Sequence, residues 1–371
     1  MVTAIGLMSG TSMDGIDVAM LRTDGENRIE FGPAAFIAYS SAFRRRIEDG
    51  LETAKRIVRR EERPGDLAEL EQAITQHHAE AVRSLIDAAP EGWRDAQLIG
   101  FHGQTVLHRP QARVTVQLGD GERLAKATGI PVVHDMRAND MKEGGQGAPL
   151  VPAYHAALAR SLPKPHAQVS PVVFVNIGGI SNLTYVGDGD PIAFDTGPGN
   201  ALIDQWVMRE GGVPFDADGA IASEGGIVRA VVERYLKNPF FEKAGPKSLD
   251  RNDFTLAAAE GLELADGART LAAVSAEAIL KSVEHLPLQP KLWIVSGGGR
   301  KNPHIIADLK KGAARADAHV LMAEDVDLRG DFIEAEAWAY LAVRSLKGLP
   351  LTYPTTTGCR RPISGGVLSR S

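Results

Sequence analysis

Cysteine is almost absent: Cys359 is the only one among 371 residues. A lone thiol excludes an intramolecular disulfide and suits a reducing compartment. No apolar run approaches the roughly 20 residues that a membrane-spanning helix needs. No basic leader followed by an apolar segment opens the chain, so the cytoplasm is the expected compartment. Long basic runs are missing too. Net charge is −6, and the arginines of 44–46 and 59–63 are interspersed with Glu48, Glu52, Glu61 and Glu62. They read as solvated helix faces, which argues against a nucleic-acid partner. Four signatures are lacking as well: G-x-x-x-x-G-K-[ST], G-x-G-x-x-G after a strand, H-E-x-x-H, and the G-x-S-x-G elbow.

What is present is an ordinary globular composition, 44% hydrophobic and 24% charged, on a chain too long for one core. Two domains are expected. The most telling stretch is AIGLMSGTSMDGIDVAMLRT, residues 4–23. Two apolar runs flank a polar turn holding Gly10, Thr11, Ser12, Met13, Asp14 and Gly15, followed by Ile16 and Asp17. An ordinary hairpin needs only two turn residues. This one is built to bring backbone N–H groups and hydroxyls around an anion. A carboxylate beside a phosphate cradle makes sense with a divalent cation between them, so the turn suggests a nucleotide phosphate with Mg²⁺. A polar loop without ligand is the alternative.

Further along, a third strand is expected at 28–39 and an amphipathic helix at 67–89, with Leu67, Leu70, Ile74, Ala81, Leu85 and Ala89 on one stripe. A short strand at 97–101 runs into His102-Gly103-Gln104-Thr105. Strands at 114–118 and 130–133 flank a helix at 120–128. After a Gly-rich loop at 137–150 the pattern restarts with strands at 172–177, 181–186 and 191–194. Helices are expected at about 200–209, 224–236, 253–263 and 267–286, a strand at 291–295, a helix capped by Asn302-Pro303, and a last helix at 331–347. A three-strand unit with a glycine-marked turn thus occurs twice, as a repeat of architecture. Two such domains would leave a cleft for a ligand.

Three more loops sit at strand ends. One carries Asn176, Gly178, Gly179 and Ser181. The second is Phe194-Asp195-Thr196-Gly197-Pro198-Gly199-Asn200. The third holds Gly297, Gly298 and Gly299, then Asn302. Glycine is needed where backbone must approach a ligand closely, and helix N-termini favour phosphate.

Two hairpin phosphate loops and a late Gly-Gly-Gly turn resemble the ATP site shared by actin, hexokinase-type sugar kinases and the heat-shock ATPases. More specifically, GLMSGTSMDGID, FHGQTVLHRP, GGQGAPLVPAYH, NIGGISNLT, FDTGPGNALID, SLDRNDF, SGGGRKNP and DFIEAEAWAYLA follow one another in the order seen in the anhydro-N-acetylmuramic acid kinases, and the resemblance spans about the whole chain. It implies an α/β fold of two actin/hexokinase-like (ribonuclease H-like) domains with an interdomain cleft. The first would cover 1–150 plus about 346–371, and the second 151–345, with the catalytic Asp and the adenosine loop. It implies a reaction in which 1,6-anhydro-N-acetylmuramate, ATP and water give N-acetylmuramate 6-phosphate and ADP, within peptidoglycan recycling. It further implies Asp195 as the base that activates water, Gly10–Asp17 as the ATP stretch, Glu334 near the sugar, and a homodimer.

The chemistry is coherent. A carboxylate can steer water onto the anomeric carbon, and the expelled O6 can attack the γ-phosphate, so no second carboxylic acid is required. Asp14 or Asp17 is the candidate metal holder. Asp195 could instead cap the helix after Pro198. His102 and Gln104 could line the sugar pocket or sit in the core. Gly197 is placed with the substrate residues. Arg137 could meet the sugar's lactyl carboxylate, or form a structural salt bridge with Asp140. The DADG run, Asp216–Gly219, reads as a turn rather than a metal loop, His77 and His78 as surface or core, and Cys359 as inert. Met136, Lys142 and Glu143 depart from the family's usual residues, with the pocket rim or a hinge as the expected place of any effect. An ordinary hexose kinase, an ATP-driven conformational protein and a silent sugar-binding regulator are the rival readings.

Overall fold

The computed structural model describes residues 1–10, 12–249 and 253–371. The chain divides into two compact units, Met1–Ser161 with Phe332–Ser371, and Leu162–Asp331. In the first unit, β1 (Val2–Ser9), β2 (Gly15–Thr23) and β3 (Ile29–Ala38) form an antiparallel meander. Helices α1 (Ser41–Ala54) and α2 (Leu67–Ala88) follow, and β4 (Leu98–Arg109) then joins β1 in parallel. β5 (Val114–Leu118) folds back on β4, and α3 (Gly121–Thr128) leads into β6 (Val132–His134), parallel to β4. The short helices α4 (Ala138–Lys142) and α5 (Pro152–Arg160) end the first segment of the unit.

In the second unit, β7 (Val172–Ile177), β8 (Ile180–Val186) and β9 (Ile192–Pro198) repeat the antiparallel meander. Then come α6 (Ala201–Gly211), α7 (Arg229–Leu236), α8 (Leu264–Lys281), β10 (Leu292–Ser296), α9 (Pro303–Ala313) and β11 (His319–Met322). β10 and β11 extend the sheet in parallel from β7. The chain returns to the first unit with α10 (Ile333–Leu346), α11 (Pro354–Thr357) and β12 (Val367–Ser369), which pairs antiparallel with β6. The strand orders β3-β2-β1-β4-β6 and β9-β8-β7-β10-β11 are the same. Three antiparallel strands followed by two parallel ones is the ribonuclease H-like arrangement of actin- and hexokinase-type domains, here present twice.

Local chemistry explains the helix starts. Ser40 accepts the Phe43 N–H, Asp120 accepts the Arg123 N–H, and Asn302 accepts the N–H groups of His304 and Ile305 ahead of Pro303. Several elements differ from expectation. The short strand at 97–101 continues to Arg109, so His102 and Gln104 are strand residues. β9 extends through Asp195 to Pro198. The helix expected at 253–263 is reduced to a single 3₁₀ turn at Leu256–Ala259. α1 bears out the helix face read at 44–46, with bounds that were not given; α5, β11 and β12 went unforeseen because each is short.

The helix expected to close the second domain belongs instead to the first unit, and the boundaries fall at 161/162 and 331/332. The cause is close packing. A Cβ on Gly6 of β1 would lie 1.8 Å from the Ala335 carbonyl oxygen, and one on Gly100 of β4 would lie 2.0 Å from that of Trp338. Both strands lack side chains where α10 crosses, so helix and sheet backbones touch. Ala335 to Arg344 are all buried. We predict that Gly6→Ala destabilises the protein by at least about 3 kcal/mol, because the intruding atom meets backbone that cannot step aside. Denaturant unfolding monitored by tryptophan fluorescence checks this; an unchanged midpoint contradicts it.

Candidate active site

In the first unit the turn between β1 and β2 is held from below. Ser9 Oγ donates to the Gly103 carbonyl at 3.1 Å, and Gln104 Nε2 donates to the Gly10 carbonyl at 3.0 Å. The Met13 N–H closes the turn on Gly10 O at 3.2 Å, with Met13 at φ 55°, and Tyr39 N–H donates to Asp14 O at 2.8 Å. Ser12 Oγ donates to Asp14 Oδ1 at 2.6 Å on the exposed side. Ile16 is buried in the core, and Asp17 lies on β2, opposite Met8. Thr11 lies outside the described residues. Gln104 is fully buried; its contact with the loop makes it a support for the turn. Asp14 and Asp17 present hard oxygen donors beside the turn, a set that suits Mg²⁺, which keeps water and phosphate oxygens in its shell. Among the described residues no group of three His, Cys, Asp or Glu side chains forms a metal cage.

A second cluster in this unit surrounds Arg137, which immediately precedes α4. Its Nη1 donates to the Gly147 carbonyl at 2.8 Å, while Nε and Nη2 reach His102 Nε2 at 3.3 and 3.0 Å. The guanidinium lies 5.3 Å from the Trp338 ring centroid, and the His102 and Trp338 rings are 4.6 Å apart. Arginine can only donate, so His102 Nε2 accepts and the proton sits on Nδ1. Burial, then the Arg137 charge, hold His102 well below its ordinary pKa, so it is neutral. Burial lowers Arg137 to about 10, opposed by Glu334 and Asp140; it stays cationic at neutral pH. Glu334 reaches solvent, yet desolvation raises its pKa, opposed by Arg137.

The Arg137–Asp140 salt bridge weighed above is absent. Asp140 instead accepts from Thr352 at 2.5 Å, Thr357 at 2.7 Å and the Gly147 N–H at 2.7 Å. It ties the Gly-rich loop to the C-terminal segment and thereby fixes the carbonyl that Arg137 grips. Trp338 was not anticipated, although its position four residues beyond Glu334 puts the two on one helix face.

In the second unit three turns converge. The N–H groups of Asn200 and Gly199 donate to the carbonyls of Gly178 and Gly179, at 2.7 and 2.9 Å. A Cβ on Gly297 would lie 2.2 Å from Asn176 Oδ1, and one on Gly299 would lie 2.2 Å from Ile177 Cγ2. These glycines are demanded by packing, as is Gly197, whose Cβ would meet that of Ala278 at 2.7 Å. Gly10, Gly178, Gly179 and Gly298 are different. Their nearest neighbours would be 3.7, 3.4, 3.6 and 3.7 Å away. The protein itself leaves room there, as backbone that receives a ligand must. Two expected ligand side chains are engaged elsewhere. The Ser181 hydroxyl bonds Thr196 Oγ1 at 2.6 Å and Gly197 O at 3.2 Å, and Asn302 caps α9.

Asp195 lies on β9 and caps no helix. Its N–H donates to Lys247 O at 3.0 Å, and its Oδ2 accepts the Leu249 N–H at 2.8 Å. Burial raises its pKa to about 6, against the lowering effect of that N–H. Asn200 makes no side-chain cap either. Asp216 accepts the N–H groups of Ile221 and Ala222, so the DADG run is a turn. His78 is buried beside Phe101, and His77 packs on Phe43. Met136 is core, not pocket rim, and the buried Cys359 thiol donates to Arg361 O.

The profile of the anhydro-N-acetylmuramic acid kinases matches residues 2–370. The chain is 59% identical to the anhydro-N-acetylmuramic acid kinase of Brucella canis over 98% of its own length and 97% of that protein's. It is 55% identical to that of Agrobacterium fabrum, over 100% and 99%. Among solved structures it resembles a ROK family glucokinase from Streptomyces griseus at 16% identity and a TM-score of 0.40, covering 92% of this chain and 99% of that one; at that level strand order, not superposition, carries the fold. Matched from end to end by the profile and by relatives of this identity, the chain belongs to the anhydro-N-acetylmuramic acid kinase family.

Proposed function

We propose that this protein opens the anhydro bridge of 1,6-anhydro-N-acetylmuramate with water while transferring the γ-phosphoryl group of ATP to O6, giving N-acetylmuramate 6-phosphate and ADP. The observation that carries the reading is Asp195: a carboxylate raised to about 6 and oriented through one oxygen by Leu249 N–H. Such a group is ionised at neutral pH yet basic enough to take a proton from water. Water oxygen attacks C1 and Asp195 receives its proton. The C1–O6 bond breaks, and the O6 electron pair attacks the γ-phosphorus as ADP leaves. Phosphorylation captures the leaving oxygen, so the step closes without a general acid.

The reading gives the phosphates to the turn at Gly10–Asp17 and to the roomy glycines 178, 179 and 298. Asp14 and Asp17 would hold Mg²⁺, which when bound neutralises phosphate charge. His102, Arg137 and Glu334 take the sugar; a cationic guanidinium braced by a neutral imidazole suits a lactyl carboxylate. Homodimer formation, the cytoplasmic location and the place in peptidoglycan recycling are part of the same proposal, supported by the family. Among the described residues no helix is long and apolar enough to cross a membrane.

Turnover in ¹⁸O-water is expected to place solvent oxygen at C1 and none in the phosphate. A free-hydroxyl hexose kinase labels neither, so unlabelled product refutes the ring-opening reading. The logarithm of kcat/KM should fall with unit slope below about pH 6, since protonation of Asp195 removes the base; a limb near pH 4 contradicts the assignment. Asp195→Asn should lose at least about 10³-fold in kcat while still binding ATP. The same variant should be more stable at pH 7, by up to about 3 kcal/mol. A folded-state pKa above the unfolded value of 3.8 costs stability as pH rises from about 4 to 6, and the amide removes that cost. A lower melting temperature for the variant counts against it. Asp14→Asn, at an exposed position, should raise the Mg²⁺ requirement about ten-fold without changing the melting temperature; unaltered magnesium titrations remove Asp14 from the metal shell.

A further inference from the structure

Lys247 is an unusual residue for its surroundings. It is only 8% exposed, and lysine is rarely so buried without a charge partner. No carboxylate among the described residues pairs with it. Its Nζ donates to the Phe240 carbonyl at 3.2 Å, and the ammonium lies 4.6 Å from the Phe240 ring centroid and 5.5 Å from that of Phe194. One carbonyl and two aromatic faces replace its water.

The chain around Lys247 runs along the outer edge of β9, which is an edge strand. A Cβ on Gly245 would lie 2.8 Å from the Phe194 ring, so the segment enters flat against the residue before Asp195. Two residues later the Lys247 carbonyl accepts the Asp195 N–H, and two residues after that the Leu249 N–H reaches Asp195 Oδ2. The strap therefore grips Asp195 at both its backbone and its carboxylate. Leu249 anchors the far end of this strap in the unit's apolar core, and Lys247, at the contact with the Asp195 N–H, anchors it through its ammonium.

We infer that Lys247 is a positioning residue for the proposed reaction: its ammonium, seated between Phe194 and Phe240, sets the register of residues 245–249 so that the Leu249 N–H orients the Asp195 carboxylate. The inference rests on Asp195 being the base. The side chain does not touch the reacting atoms. The burial that seats it also lowers it to about 8, with Glu242, Lys243, Lys281 and Glu284 as the charged groups facing it. Among the described residues no charged side chain acts on Asp195; burial and the Leu249 N–H set it.

The test compares Lys247→Met, which keeps the length and loses the charge, with Lys247→Arg, which keeps both charge and donors. Steady-state kinetics with ATP and the anhydro sugar are run from pH 5 to 9 beside Asp195→Asn. Releasing the Leu249 N–H removes a hydrogen bond to the charged carboxylate, so the acid limb of kcat/KM in Lys247→Met should move up by about one unit. The kcat at neutral pH should fall at least about ten-fold, the KM for ATP should stay within two-fold, and Lys247→Arg should recover most of both changes. An unchanged acid limb in Lys247→Met overturns the inference, even if the melting temperature drops. Should Lys247→Met not fold, Lys247→Gln, which also removes the charge, takes its place and is read the same way: an unchanged acid limb overturns the role. An inactive Asp195→Asn with unmoved Lys247 variants sinks only the positioning role, whereas an active Asp195→Asn sinks the base assignment and this inference with it.

Discussion

Backbone contact between α10 and the first sheet is the constraint from which the rest of that unit follows. Gly6 and Gly100 leave no Cβ where the carbonyls of Ala335 and Trp338 press onto β1 and β4. Packing this close leaves the helix little room to approach or tilt without a backbone conflict. The helix carries Glu334 and Trp338. The Trp338 indole is the surface on which both the His102 ring and the Arg137 guanidinium rest. Two glycines in two strands thus determine where an arginine points, although neither lies beside it in the chain.

The glycines of the turns proposed to meet ligand separate into two physical classes. Gly197, Gly199, Gly297 and Gly299 are glycine because the protein itself occupies the space a side chain would need. Gly10, Gly178, Gly179 and Gly298 face room instead. An alanine would fit at these four positions without backbone conflict in the free protein, so folding does not account for the choice. The phosphate contacts proposed for these turns would use that room, since backbone N–H groups reach an anion most closely when no Cβ intervenes. The turns that supply these four open glycines occupy corresponding places in the two meanders, except Gly298, which follows β10.

Much of this was legible in the sequence, and what was not has definite causes. The two meanders were readable because apolar runs bounded by glycine-rich turns leave few alternatives. The strand order needed β11, four residues with only Val320 fully buried in the pattern, and no local period reveals so short a strand. α10 was placed in the wrong unit because periodicity identifies a helix but says nothing of the sheet it packs on; Gly6 and Gly100 are ordinary strand glycines until the helix is seen. Asp195 could be named as a candidate base through the family resemblance, but its neighbours could not, since the Leu249 N–H comes from 54 residues away in the chain. A salt bridge between Asp140 and Arg137 was one of two alternatives, suggested by their nearness in the chain. In the fold three polar donors, two of them more than 200 residues away, satisfy Asp140 first, and a carboxylate so occupied has little left for a guanidinium that already holds a carbonyl and an imidazole.

The proposed reaction asks for one base and no general acid. A general acid and a general base acting together need two carboxyl groups whose environments push their pKa values apart. Asp195 has no charged neighbour among the described residues, and burial alone accounts for its elevation. Glu334, the other carboxylate assigned to the substrate, is raised by burial but faces Arg137, which favours its ionised form. The net direction is upward, so Arg137 only partly offsets the desolvation. In the proposed reaction the phosphoryl group captures the departing oxygen, so neither carboxylate has to protonate it. Coupling ring opening to phosphoryl transfer thus asks these two carboxylates for a single base, the role proposed for Asp195.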